Sequence, residues 1–120
     1  MDQTTLEIGS LGEDLAHKYL SSLGYIILER NWRWHKCEID IIAIHRDKIV
    51  FIEVKTRGRN RIEQGEDISH RQRKRIINAA NSYLLKRWKI DLESRFDLVR
   101  VRKTNGDWWV EHIRGAFEVV

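Results

Sequence analysis

The 120-residue sequence predicts an α/β fold, a mixed central sheet flanked by helices in the order α-β-β-β-α-β-β. Three observations carry this. Two segments, Leu11 to Leu23 and Ser69 to about Trp88, repeat apolar residues at helical spacing. Five shorter segments are rich in β-branched and aromatic residues, as strands are. The central pair of those strands is apolar on both faces, which suits a sheet covered by helices on each side.

Residues 1–8 read as a flexible N-terminal tail and 9–120 as a single domain, a length that supports one core. In the first helix Leu11, Leu15, Tyr19 and Leu23 recur every four residues, and Ala16 and Leu20 widen the stripe. Ser10 is placed to cap it, with Glu13 completing a capping box, and Gly24 to end it. Tyr25 to Trp34 turns strand-like, with Trp32 and Trp34 on one face; they either pack in the core or a dimer interface or stack on unpaired bases. Glu38–Ile44 and Ile49–Lys55 are the strongest strands, and Thr56 to Asp67 reads as an exposed loop. The second helix turns Ile76, Ala80, Tyr83 and Leu84 inward. Arg95–Lys103 and Trp108–Ile113 close the chain as strands, joined by a turn at Thr104-Asn105-Gly106-Asp107. Trp108 and Trp109 fall on opposite faces, so one is expected to be buried.

Composition excludes several classes. With 42% hydrophobic and 33% charged residues, the chain suits a soluble globular protein. It has no apolar run of membrane-spanning length, and MDQTTLEIGS lacks the pattern of a secretory signal, so a cytoplasmic location and no membrane partner are expected. Cys37 is the only cysteine, which rules out an intrachain disulfide and a cysteine-based zinc site. The net charge of +4 is moderate, but it is unevenly spread: residues 55–75 carry eight Lys and Arg against three Asp and Glu. That concentration is either the electrostatic footprint of phosphate binding or a solvated loop and helix face.

The stretch EIDIIAIHRDKIVFIEVK, Glu38 to Lys55, raises a sharper question. A two-residue turn at Arg46-Asp47 or a four-residue one from His45 to Lys48 gives the same register, with Asp40 opposite Glu53 and Glu38 opposite Lys55. Opposed residues share a face, about 5 Å apart at Cβ. Ile42, Ile44, Ile49 and Phe51 fill the turn end of that face, while Ile39, Ile41, Ala43, Val50, Ile52 and Val54 occupy the reverse. Two adjacent carboxylates at the end of a buried strand repel, and desolvation adds to the cost. Either Glu38 simply pairs with Lys55 while Asp40 is solvated, or Asp40 and Glu53 hold a hard divalent cation such as Mg²⁺ or Mn²⁺.

The arrangement Glu13 … Glu38-Ile39-Asp40 … Glu53-Val54-Lys55 resembles the active-site signature of the PD-(D/E)XK nuclease superfamily. More narrowly, GEDLAHKYLSSLGYIILERNWR, EIDIIA, VFIEVKTR, AANSYL, RFDLV and HIRGAF resemble the YraN-like family of uncharacterised bacterial proteins, which is similar to archaeal Holliday-junction resolvases. The likeness runs from Gly12 to Phe117. It departs from the pattern where Ile39 stands in place of the superfamily's proline, and where Cys37 replaces the family's glycine.

The resemblance implies a restriction-endonuclease-like core and a metal-dependent endonuclease acting on DNA, possibly branched or junction DNA, with homodimeric relatives. The alternative is a nucleic-acid-binding module with the same fold and little catalysis. It implies Asp40, Glu53 and Lys55 as catalytic residues, and Asp40, Glu53, the Val54 carbonyl and Glu13 as metal ligands. Glu38 and Gln72 would be accessory, Glu38 chiefly as a partner of Lys55. Arg57, Arg59, Arg61, Arg71 and Lys74 are the expected contacts to nucleic-acid phosphates.

Overall fold

The computed structural model describes residues 5–57, 68–87 and 92–118. The element order is the expected one: α1 (Thr5–Ser22), β1 (Ile26–Trp34), β2 (Cys37–His45), β3 (Lys48–Arg57), α2 (His70–Arg87), β4 (Glu93–Thr104) and β5 (Asp107–Phe117). The strands form one sheet in the order β1-β2-β3-β4-β5. All neighbours are antiparallel except β3 and β4, which run parallel because α2 intervenes. The loop expected over 56–67 lies mostly outside the described residues; Thr56 and Arg57 belong to β3 instead.

Local chemistry accounts for the element ends. Gly24, at φ +90°, stops α1 in a Schellman arrangement: Tyr25 N–H donates to Leu20 O and Gly24 N–H to Ser21 O. Ser69 caps α2, its Oγ accepting the Gln72 N–H at 3.1 Å. Asn105 and Gly106, both at positive φ, turn β4 into β5 as an Asn-Gly hairpin does.

The start of α1 corrects the expectation. The helix already includes residues 5–8, read from sequence as tail, so Ser10 lies inside it and caps nothing. Gly12, inside the helix, has a use of its own. Gly12 is buried, and a Cβ there would fall 2.0 Å from Thr56 Oγ1. The helix therefore rests on β3 along Gly12, Ala16 and Leu20, the last two fully buried. Leu11 and Leu23, expected at the centre of the stripe, are 38% and 41% exposed. Small residues at the contact let the helix axis approach the sheet, and the larger leucines are left flanking it.

The sheet separates two apolar layers. On one face Ile42, Ile49, Phe51 and Leu98 meet Ile76, Ala79, Ala80 and Tyr83 of α2, with Trp32 edge-on to Tyr83 at 5.1 Å. On the other, Ile41, Val50, Ile52, Val99 and Val101 meet Ala16 and Leu20 of α1. Ile49 through Ile52 are each at most 1% exposed, which makes β3 the buried spine. Among the described residues, no helix is long and apolar enough to cross a membrane.

Candidate metal centre and its surroundings

The hairpin register is the anticipated one, Ile44 facing Ile49 and Ile41 facing Ile52. Regular pairing ends at that last rung. Beyond it the Asp40 side chain, rather than a backbone carbonyl, accepts the Val54 N–H at 2.7 Å. The pleat of β1 and β2 also breaks at this level. Asn31, on β1 between the partners of Ile41 and Ile39, has φ +54°. Past it Ile39 packs in the α2-side layer with Ile42 and Phe51, not on the reverse face with Ile41 as the alternation predicted. Asn31 breaks the alternation of β1, and β2 breaks its own between Ile39 and Ile41, where the Asp40 side chain takes the Val54 N–H.

This break gathers the acids. Glu13 from α1 and Glu38 and Asp40 from β2 bring one carboxylate oxygen each within 4.8 Å of one another. Glu53 stands outside that triad but neighbours Asp40, whose carboxyl pKa its charge helps to raise. Gln72 Nε2, from the first turn of α2, donates to Glu53 Oε1 at 3.3 Å, and Lys55 Nζ lies 3.5 Å from the same oxygen. The side chains of Glu53 and Lys55 are 11% and 19% exposed, so the site is recessed but open.

Two expected roles change. Glu38 does not pair with Lys55; it lies 3.4 Å from Arg33 and belongs to the acid triad. Glu13 is not a cap, because it lies well inside α1. Sequence reasoning also missed Arg30 and Asn31. Arg30 meets Glu13 at 3.6 Å and Asp14 at 2.9 Å. Asn31, with its amide nitrogen turned to the acids, donates to Glu38 Oε1 at 2.7 Å and Glu13 Oε2 at 3.1 Å. The run Arg30-Asn31 offered no periodic signal, and only the bulged pairing of β1 brings it here.

Electrostatics follow from this crowding. Burial, and then the neighbouring Glu53 charge, push the Asp40 carboxyl up to about 8, against the downward pull of the Val54 N–H. Burial likewise raises Glu53, with the Lys55 ammonium opposing it. The donor set is all carboxylate oxygen, the chemistry of a hard cation. Its spread lies within the roughly 5 Å that one ion with oxygen ligands at about 2.1–2.5 Å can bridge. These residues fit such an ion.

Of the expected phosphate contacts, Arg57 ends β3, with its guanidinium donating to Thr56 O at 3.1 Å. Arg71 and Lys74 are exposed on α2. Arg59 and Arg61 lie outside the described residues.

Residues 12–101 match the model of the uncharacterised protein family UPF0102. The chain belongs to this family. It is 44% identical to a UPF0102 protein of Clostridium kluyveri over 116 residues, covering 94% of this chain and 95% of the relative. A UPF0102 protein of Parabacteroides distasonis is 38% identical over 112 residues, 92% of each chain, and one of Bacteroides thetaiotaomicron is 39% identical over the same length. The family match takes in Glu13, Glu38, Asp40, Glu53 and Lys55.

Proposed function

We propose that this UPF0102 chain is a Mg²⁺- or Mn²⁺-dependent nuclease that hydrolyses phosphodiester bonds of DNA, branched or junction DNA among its substrates. The observation that carries the reading is the acid triad of Glu13, Glu38 and Asp40, set against Glu53 and Lys55 at the open end of a strand buried on both faces. Carboxylates packed this closely repel one another unless a cation is shared among them.

In this reading Asp40, Glu13 and Glu38 hold the ion, with Glu53 beside Asp40. The bound ion would polarise a phosphoryl oxygen and acidify a water. Val54 N–H fixes one Asp40 oxygen, which orients the other toward the cluster. Gln72 and Lys55 hold Glu53 from two sides and so set its rotamer. The Lys55 ammonium is the one cation adjoining Glu53 on its own strand, placed to orient the attacking water or to neutralise charge developing on the phosphate. Arg57, Arg71 and Lys74 would position the nucleic-acid backbone without reading its sequence.

A second reading, a nucleic-acid-binding module with this fold and no hydrolysis, draws on Arg30 and Arg33. Each already pairs with one acid of the triad and reduces the need for an ion. One assay separates them. Purified protein is incubated with linear, single-stranded and four-way-junction DNA in Mg²⁺ or Mn²⁺, beside Asp40→Ala and Glu53→Ala. The nuclease reading expects cleavage by the wild type and a loss of at least about a hundredfold in both variants. Cleavage that survives equally in the variants, or salt-sensitive binding without cleavage, would sink it.

A further inference from the structure

The sheet carries a second feature on the face that presents Glu53 and Lys55. Parallel pairing sets Lys55 beside Arg100 and Arg57 beside Arg102. Antiparallel pairing extends these two rows to Glu111 and Trp109. Directly paired residues share a face, so the second row reads Arg57, Arg102, Trp109 across three strands. With strands about 4.8 Å apart, Trp109 stands roughly 10 Å across the sheet from Arg57, one row beyond Lys55.

Trp109 is 62% exposed. Its neighbour Trp108 packs against the α1-side layer, with Lys103 Nζ 5.7 Å from its ring centre. The two tryptophans thus have separate uses, and only Trp108 contributes to packing. Trp109 borders a concavity of about 460 Å³ shared with Arg100, Arg102, Thr104 and Asp107, within the range of small-ligand clefts, about 300–1,000 Å³. Its wall combines arginines with an indole face, the chemistry of sites that bind phosphate and stack on bases.

We infer that Trp109 and Arg102 form a stacking platform for an unpaired nucleotide, on the same strand of nucleic acid whose phosphate reaches Lys55. Charge decides the occupant: Arg57 and Arg102 lead to Trp109 in one row, cations that suit a phosphate chain. In the neighbouring row Arg100 is paired with Glu111 at 3.0 Å. An indole on an open strand face can stack only on a base that has left its duplex neighbours. The proposal rests on the nuclease reading for the direction of the strand. Binding at the platform needs no hydrolysis.

The test uses the intact chain with Ca²⁺ in place of Mg²⁺, a fluorescein-labelled oligo-dT, and a blunt duplex of equal length. The wild type is expected to bind oligo-dT with quenching of tryptophan fluorescence. Trp109→Ala should weaken that binding about tenfold or more and change duplex binding less than about threefold. Trp109→Phe should keep affinity within about threefold while losing most of the quenching. Arg102→Ala should reduce the salt slope by about one. The inference is overturned if the wild type does not bind oligo-dT, if Trp109→Ala binds it normally, as it would were the face a docking site for protein, or if oligo-dT and duplex are weakened equally, as they would be by a general loss of nucleic-acid binding. Asp40-dependent cleavage with normal oligo-dT binding by Trp109→Ala would remove the platform and leave the nuclease. Trp109-dependent binding without cleavage would do the reverse.

Discussion

Asp40 accepts a backbone N–H and at the same time faces a second carboxyl. Its carboxyl is raised from an ordinary 3.8 to about 8, first by burial and then by Glu53. Between those values the folded protein holds a proton that the unfolded chain has released. The contribution to stability is therefore full below about 4 and lost as pH rises through about 8. Asp40→Asn keeps an acceptor for Val54 and removes the charge. At pH 8 with chelator it should be more stable than wild type by at least about 1 kcal/mol, roughly 4–8 °C in Tm. Added Mg²⁺ should raise the wild-type Tm and leave that of the variant nearly unchanged. A chelated wild type that melts above Asp40→Asn at pH 8 would mean that the acids tolerate one another without an ion.

Helix α1 delivers Glu13 to the acids only because Gly12, one residue before, lets it rest on β3. A Cβ at position 12 would meet not only Thr56 Oγ1 but also Thr56 Cβ, at 2.8 Å, and that atom cannot rotate away. Alanine favours a helix over glycine by about 1 kcal/mol. Overpacking costs about 1–3 kcal/mol and should win. Gly12→Ala is expected to lower stability to urea by up to about 2 kcal/mol net, and to shrink the Mg²⁺-dependent rise in Tm because Glu13 moves with the helix. Thr56→Ala added to it should restore part of both. A Gly12→Ala protein more stable than wild type would refute the close approach.

Across the whole molecule, the open acid site at one end of β3 is balanced by a closed polar cluster around Asp97 of β4, which lies in register with Ile52. Asp97, fully buried, accepts hydrogen bonds from Arg95 Nε at 2.8 Å, Tyr25 OH at 3.2 Å and Gly115 N–H at 3.1 Å, and lies 2.8 Å from His112 Nε2. Tyr25 in turn stacks on His45 at 4.1 Å. One carboxylate thus ties the end of α1 to β2, β4 and β5. Burial raises its pKa, but His112, Arg95 and the Gly115 N–H more than offset that and hold it at about 2. Because the folded value is depressed, its stabilisation is present above about 4 and lost as pH falls through about 2, the opposite slope to Asp40. Asp97→Ala should cost about 3–5 kcal/mol at pH 7 by urea denaturation, and the variant should lose less stability than wild type between pH 4 and pH 2. Equal acid sensitivity in the two proteins would count against this role.

Period and turn chemistry alone determined the element order, the hairpin register from Ile41–Ile52 to the turn, the glycine stop at Gly24 and the Asn-Gly turn. These depend on contacts close in sequence, where residue type and spacing carry the signal. Tertiary structure decided the rest. The start of α1 was misread because Ser10 and Glu13 have the spacing of a capping box, while the helix runs through both and lays Gly12 against β3. Glu38 changed partner, and Arg30 and Asn31 joined the site, where the alternation of β1 breaks at Asn31 and that of β2 at Asp40. Arg95-Phe96-Asp97 and His112 to Gly115 read as separate motifs until β5 folded back on β4 and made them one network. Where a carboxylate's neighbours come from distant strands, its charge state belongs to the packed fold, since burial and nearby charge, not residue type, set the cost of ionising it.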